Sequence, residues 1–99
     1  QHKTKEILLK NLGNTLQVSL ESYHLEYGAY PETSSITSLF NQLQSADCIR
    51  EVPNNPFTGK PFSYRDSSGK MTYSYDKSLD TYVITIYGVL NEKVIKTIE

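Results

Sequence analysis

Residues 5–27 read KEILLKNLGNTLQVSLESYHLEY, and their periodicity decides the fold. Leu9, Leu12, Leu16, Leu20, Tyr23 and Tyr27 recur at steps of three and four, which places them in one stripe of a helix. At roughly 100° per residue, Ile7, Val18 and Leu25 fall on nearly the opposite side. The spacing therefore predicts one long helix over Lys5 to Tyr27, with a core stripe and a thinner outer one. A helix that only covers its own domain needs one stripe, so the second points to contact with another chain. Scattered apolar residues on a solvent face are also ordinary, and the sequence leaves both readings open.

The flanks fix the limits of this helix. Gly13 interrupts it at a cost of about 1 kcal/mol relative to Ala. Gly28 can take the left-handed conformation that closes a helix, and Pro31 prevents resumption. At the other end, only Thr4 could serve as a cap, and Lys3, Lys5 and Lys10 carry the wrong sign for a helix N-terminus. We therefore expect the helix to begin upstream of the residues given. Beyond Pro31, Ser34 or Ser35 caps a short second helix whose apolar side is Ile36, Leu39, Phe40 and Leu43.

Gln44 to Pro61 reads as an irregular connection of consecutive turns, tied down by Ile49, Val52 and Phe57. From Phe62 the apolar period becomes two. Phe62 and Tyr64 form a first expected strand, Asp66–Gly69 a hairpin turn, and Met71, Tyr73 and Tyr75 a second strand. A turn through Asp76–Asp80 leads to Thr81–Tyr87, the most β-rich run, with Tyr82, Ile84 and Ile86 facing the core. Asn91-Glu92 turns the chain into a last strand, Lys93–Ile98. The expected architecture is α+β: one domain with a long N-terminal helix packed on a three- to four-stranded antiparallel sheet. Residues 1–28 form the helix, 29–61 the connection with its short helix, and 62–99 the sheet.

Composition narrows the function classes. Ninety-nine residues build one small core, and with 37% apolar residues that core leans on eight Tyr and three Phe. A net charge of −1 argues against a nucleic-acid footprint. No cofactor is expected. Cys48 has no partner for an internal disulfide and no evident histidine beside it, so it reads as a loop thiol. His2 and His24 read as surface histidines, the five glycines are isolated, and no carboxylate pair stands out. Asp76, Ser78 and Asp80 alternate in a way that could offer oxygens to a cation. Asp and Ser are also ordinary turn residues and Lys77 opposes a cation, so the turn is favoured. An enzyme is not expected.

Two stretches together resemble the type IV pilin and type II secretion pseudopilin superfamily. The helix ends in Tyr23-His24-Leu25-Glu26-Tyr27-Gly28-Ala29-Tyr30-Pro31, similar to the Gly-x-Tyr-Pro turn of that family. The later Pro53-Asn54-Asn55-Pro56-Phe57-Thr58-Gly59-Lys60-Pro61-Phe62-Ser63-Tyr64 matches its Pro-x-x-Pro-x-x-Gly-x-Pro-x-x-Tyr pattern. The resemblance covers about Lys5 to Gly88. It implies a bacterial surface filament subunit, membrane-anchored through an apolar N-terminal segment until a prepilin peptidase trims it for an assembly platform. Its partners would be identical or related pilin subunits, with Ile7, Val18 and Leu25 as inter-subunit contacts.

The chain departs from some branches of that family. The unpaired Cys48 rules out the disulfide-closed C-terminal loop of many Gram-negative pilins. Ser74–Asp80 sits where major pseudopilins carry a calcium loop, but it is short and lacks the glycines. Two other functions stand beside the structural one. A minor pilin could act in adhesion or DNA uptake through exposed Tyr, with Arg65, Lys60 and Lys70 on phosphates. A small secreted enzyme is the remaining class.

Overall fold

The computed structural model describes residues 2–99. Helix α1 spans His2–Tyr27, α2 spans Ile36–Ser45, and three strands follow: β1 Met71–Asp76, β2 Thr81–Tyr87 and β3 Val94–Ile98. The fold is α+β, as the periodicities predict, with a single antiparallel sheet in the order β1-β2-β3. At about 1.5 Å per residue, the 26 residues of α1 account for the full 39 Å length of the molecule. The helix is its spine. It lies along β2 and β3, while α2 packs on β1.

Burial follows the two periods. Leu9, Leu16 and Leu20 of α1 meet Ile36, Leu39, Phe40 and Leu43 of α2 over Met71, Tyr73, Tyr82, Ile84, Ile86 and Ile98 of the sheet. Leu12 and Tyr23 pack at the margin of this core. Tyr27 does not belong to it. Its ring is 55% exposed and stacks only on Tyr23, at 4.6 Å, because the helical stripe runs one turn beyond the surface it covers. Register is clean between β1 and β2, with Tyr73 opposite Ile84 and Tyr75 opposite Tyr82; a bulge after Ile86 adjusts β3.

Caps and turns explain the element ends. Gly28 adopts φ +77° and its N–H donates to the His24 carbonyl, closing α1. Ser35 caps α2, its hydroxyl accepting the Ser38 N–H. Gly13 is buried where α1 packs on the sheet. A Cβ there would stand 2.8 Å from Ile86 Cδ1 and 3.2 Å from Ile98 Cδ1. Ala at this position would gain about 1 kcal/mol of helix propensity, against about 1–3 kcal/mol for overpacking a full core. Gly13→Ala is therefore expected to lower stability by about 1 kcal/mol, read by urea denaturation. A more stable variant would show that the helix can lift off the sheet.

The segment 62–65 corrects the sequence reading. It is not a strand, and no hairpin pairs it with β1. Phe62 is buried and stacks on Phe40 at 5.7 Å, but Tyr64 is 70% exposed. The backbone groups that a ladder would use are taken locally. Ser63 N–H donates to the Asp66 carboxylate at 3.0 Å, Asp66 N–H to the Ser63 carbonyl, and Thr37 Oγ1 to the Phe62 carbonyl. The sheet thus starts at Met71 and has three strands, not four.

The long connection is fastened as expected, with Ile49, Val52 and Phe57 packed against the core. Its centre is a residue that the sequence reading passed over. Asn55 is fully buried, and its amide donates to Asp66 Oδ2 at 3.0 Å, the Ser68 carbonyl at 2.9 Å and the Gly69 carbonyl. Its Oδ1 accepts the Phe57 N–H at 2.9 Å, an Asx turn ahead of Gly59.

Candidate subunit interface

Ile7, Val18 and Leu25 are 48%, 67% and 87% exposed, so the outer stripe lies outside the core and grows more open toward its C-terminal end. Their separations of eleven and seven residues are close to three and two helical turns, which keeps the three side chains in one line. The stripe extends about 27 Å along α1. Exposed Asn11, Asn14 and Ser22 fill the gaps between its apolar members, so its middle is uncharged. Leu8, 47% exposed, stands about 100° round the helix from Ile7 and borders Pro56 of the loop. The opposite face of the helix is spent on the core. What this stripe offers is apolar area to bury.

The upper end of α1 is held rigidly, which presents the stripe on a fixed rod. His24 is not a lone surface residue. Its Nε2 donates to Asp80 Oδ2 across 56 positions of chain, and its ring stacks on Tyr30 at 4.4 Å. Tyr75 Oη donates to the other Asp80 oxygen at 2.8 Å. Tyr30 stands edge-on to Tyr82 at 4.7 Å, and its hydroxyl donates to Glu21 at 3.0 Å. Burial, then the Glu21 hydrogen bond, pushes the Tyr30 phenol up to about 12, so it stays a donor. Tyr73 Oη donates to the Pro31 carbonyl at 2.8 Å, and burial raises its pKa as well. The Gly28–Pro31 turn is thereby clamped between helix and sheet.

Asp80 is held below the usual carboxylate range by the His24 hydrogen bond first and the Tyr75 hydroxyl second. Because the folded pKa is depressed, its stabilising contribution exists above the unfolded value of about 3.9 and is lost as pH falls through the folded one. Asp80→Asn keeps a residue type suited to the φ of +53° there and removes the charge. Its melting temperature is expected to lie below wild type at neutral pH, the gap closing below about pH 4. A gap of constant size across the pH range would show that the charge is idle.

Asp76 Oδ1 accepts the Ser78 N–H at 3.0 Å, the Ser78 hydroxyl at 2.7 Å and the Leu79 N–H, and these bonds lower its pKa. Asp80 uses both its oxygens on His24 and Tyr75, so Asp76 Oδ1 and the two Asp80 oxygens all have partners within the protein. Among the described residues no group of three or more His, Cys, Asp and Glu side chains converges. Cys48 is half-buried and burial pushes its thiol pKa up, away from a reactive thiolate. Arg65 lies over the Tyr64 ring at 5.3 Å, while Lys60 is exposed and Lys70 half-buried.

Compared with protein-family models, with curated proteins and with solved structures, the chain matches none. Among the described residues no helix is long and apolar enough to cross a membrane.

Proposed function

We propose that the protein is a structural subunit of an extracellular filament of the type IV pilus or pseudopilus kind. The observation that carries this reading is the line of Ile7, Val18 and Leu25 on the side of α1 turned away from the core. It is supported by the α+β arrangement, a long N-terminal helix on a three-stranded antiparallel sheet, and by the two proline motifs of the sequence. The subunit works through packing: one flank of α1 is glued to its own sheet and the other meets identical or related subunits. In the cell it is a surface protein, anchored in the membrane before assembly. Charged residues on the stripe test this. Folded subunits that no longer assemble would support the proposal, and filaments that persist would overturn it.

A further inference from the structure

The outer stripe supplies one half of a contact. In an open filament each contact is heterologous, so the surface that receives the stripe is a different patch of the same chain. A groove of about 450 Å³ runs beside α1, on the flank between the stripe and the core. Leu12 and Ser19 form its helical wall, buried Leu16 and Phe40 its floor, and Ile49 and Pro53 of the connection its far wall. The floor belongs to the hydrophobic core, so an apolar side chain entering the groove continues that core. Burial first, then the Glu26 carboxylate, raise the Cys48 thiol pKa, which puts Cys48 at the end of the groove nearer the C-terminus of α1. Arg50 and Glu51 stand exposed on the rim, and among the described residues Arg50 makes no ion pair.

Spacing and charge name the occupant. Leu12 and Ser19 are seven residues apart, and so are Val18 and Leu25, the two most exposed members of the stripe. A second copy lying parallel and displaced by six residues (18 to 12, 25 to 19), or about 9 Å along the axis, sets Val18 level with Leu12 and Leu25 level with Ser19. The same displacement brings Glu21 level with Thr15, beside the wall that bears Arg50. One Glu21 oxygen holds the Tyr30 hydroxyl, and the other has no partner among the described residues. The axial step also decides what repetition builds. Parallel copies touching at one level close a ring, whereas a constant step along the axis opens a helical filament. We infer, resting on the filament reading, that this groove receives Val18 and Leu25 of a second copy, with the Glu21 of that copy on Arg50.

Cys48 makes the contact readable, since it is the single cysteine of the chain. Filaments sheared from cells producing Leu25→Cys are oxidised and separated by electrophoresis without reductant. Each subunit then carries one thiol on its stripe and one in its groove, so a ladder of dimers, trimers and longer species is expected. Wild type, Leu90→Cys and Cys48→Ser under the same treatment should give no ladder, and Leu25→Cys with Cys48→Ser nothing beyond a dimer. As a second measurement, Glu21→Arg and Arg50→Glu should each lower filament yield about tenfold, with yield restored in the double variant. Dimers alone from Leu25→Cys would mean that two stripes face each other and would overturn the assignment, as would filaments that stay monomeric after oxidation. If Leu25→Cys blocks assembly, the charge pair decides: recovery in the double variant upholds the groove, and continued loss overturns it. In each of these failures wild-type filaments still form and the filament reading stands; a wild-type chain that enters no filament removes that reading itself.

Discussion

Asn55→Asp is expected to lower stability by about 4 kcal/mol at neutral pH, because it buries an unpaired charge among acceptors. The substitution preserves shape and reverses polarity. The wild-type amide faces three oxygens, from Asp66, Ser68 and Gly69, and shares its two N–H donors among them. A carboxylate in that place would face the same three oxygens with nothing to donate. Asn55→Ala removes the donor without adding charge and leaves the Phe57 N–H unpaired, at a cost of about 2 kcal/mol. The two variants also separate by pH. Burial and the adjacent Asp66 would raise the folded pKa of the new carboxyl above its unfolded value of about 3.9. For a raised carboxyl the penalty is absent below the unfolded pKa and grows as pH rises toward the folded one. Asn55→Asp should therefore recover stability on acidification relative to Asn55→Ala. Denaturant unfolding at neutral and mildly acidic pH decides the matter, and equal losses with equal pH profiles would remove Asn55 from the centre of the loop.

That residue also marks where the sequence stopped being legible. The two helices and strands β1 to β3 can be read because each repeats one physical decision along consecutive residues, a period of 3.6 or of 2. Asn55 makes its decision once, through partners eleven to fourteen positions away, in a loop where Asn is common for simpler reasons. Phe62-Ser63-Tyr64-Arg65 fails for the converse reason. It has the alternation of a strand, but the Asp66 carboxylate captures the Ser63 N–H before a neighbouring strand can. Tyr27 shows that a stripe can outrun its sheet, since periodicity specifies a face and not the extent of what covers it. The bond from His24 to Asp80 could not be read from the sequence, because Asp80 lies on the β1–β2 turn and only the packing of α1 on the sheet brings the two together. Of the candidate interface, the line of three apolar residues was legible in full. Their exposure was not, because an apolar residue on the far side of a helix is equally consistent with a second layer of the same domain.

The largest functional effect is expected from Ile7→Glu, Val18→Glu and Leu25→Lys, each chosen so that the helix itself does not suffer. Glu and Lys are better helix formers than Val or Ile. Glu near the N-terminus and Lys near the C-terminus also suit the macrodipole, by about 0.3–1 kcal/mol. Since all three positions are exposed, monomer stability should change by no more than about 0.5 kcal/mol. Assembly is a different matter. Covering Val18 or Leu25 against a neighbour contributes about 1.5–3 kcal/mol, and a charge trapped there without a partner adds a penalty of several more. At 1.4 kcal/mol per tenfold, a loss of about 4 kcal/mol weakens each contact by roughly a thousandfold. Every subunit in a filament repeats the same heterologous contact, so no assembled species escapes the defect. Filaments sheared from cells producing any of the three variants should fall below detection by electron microscopy, while the purified domain melts as wild type does. Leu90→Glu, equally exposed but in the turn before β3, is the control and should assemble normally. Normal filaments from Val18→Glu would mean that the outer face of α1 touches solvent in the assembly, and the proposed packing through that face would fall.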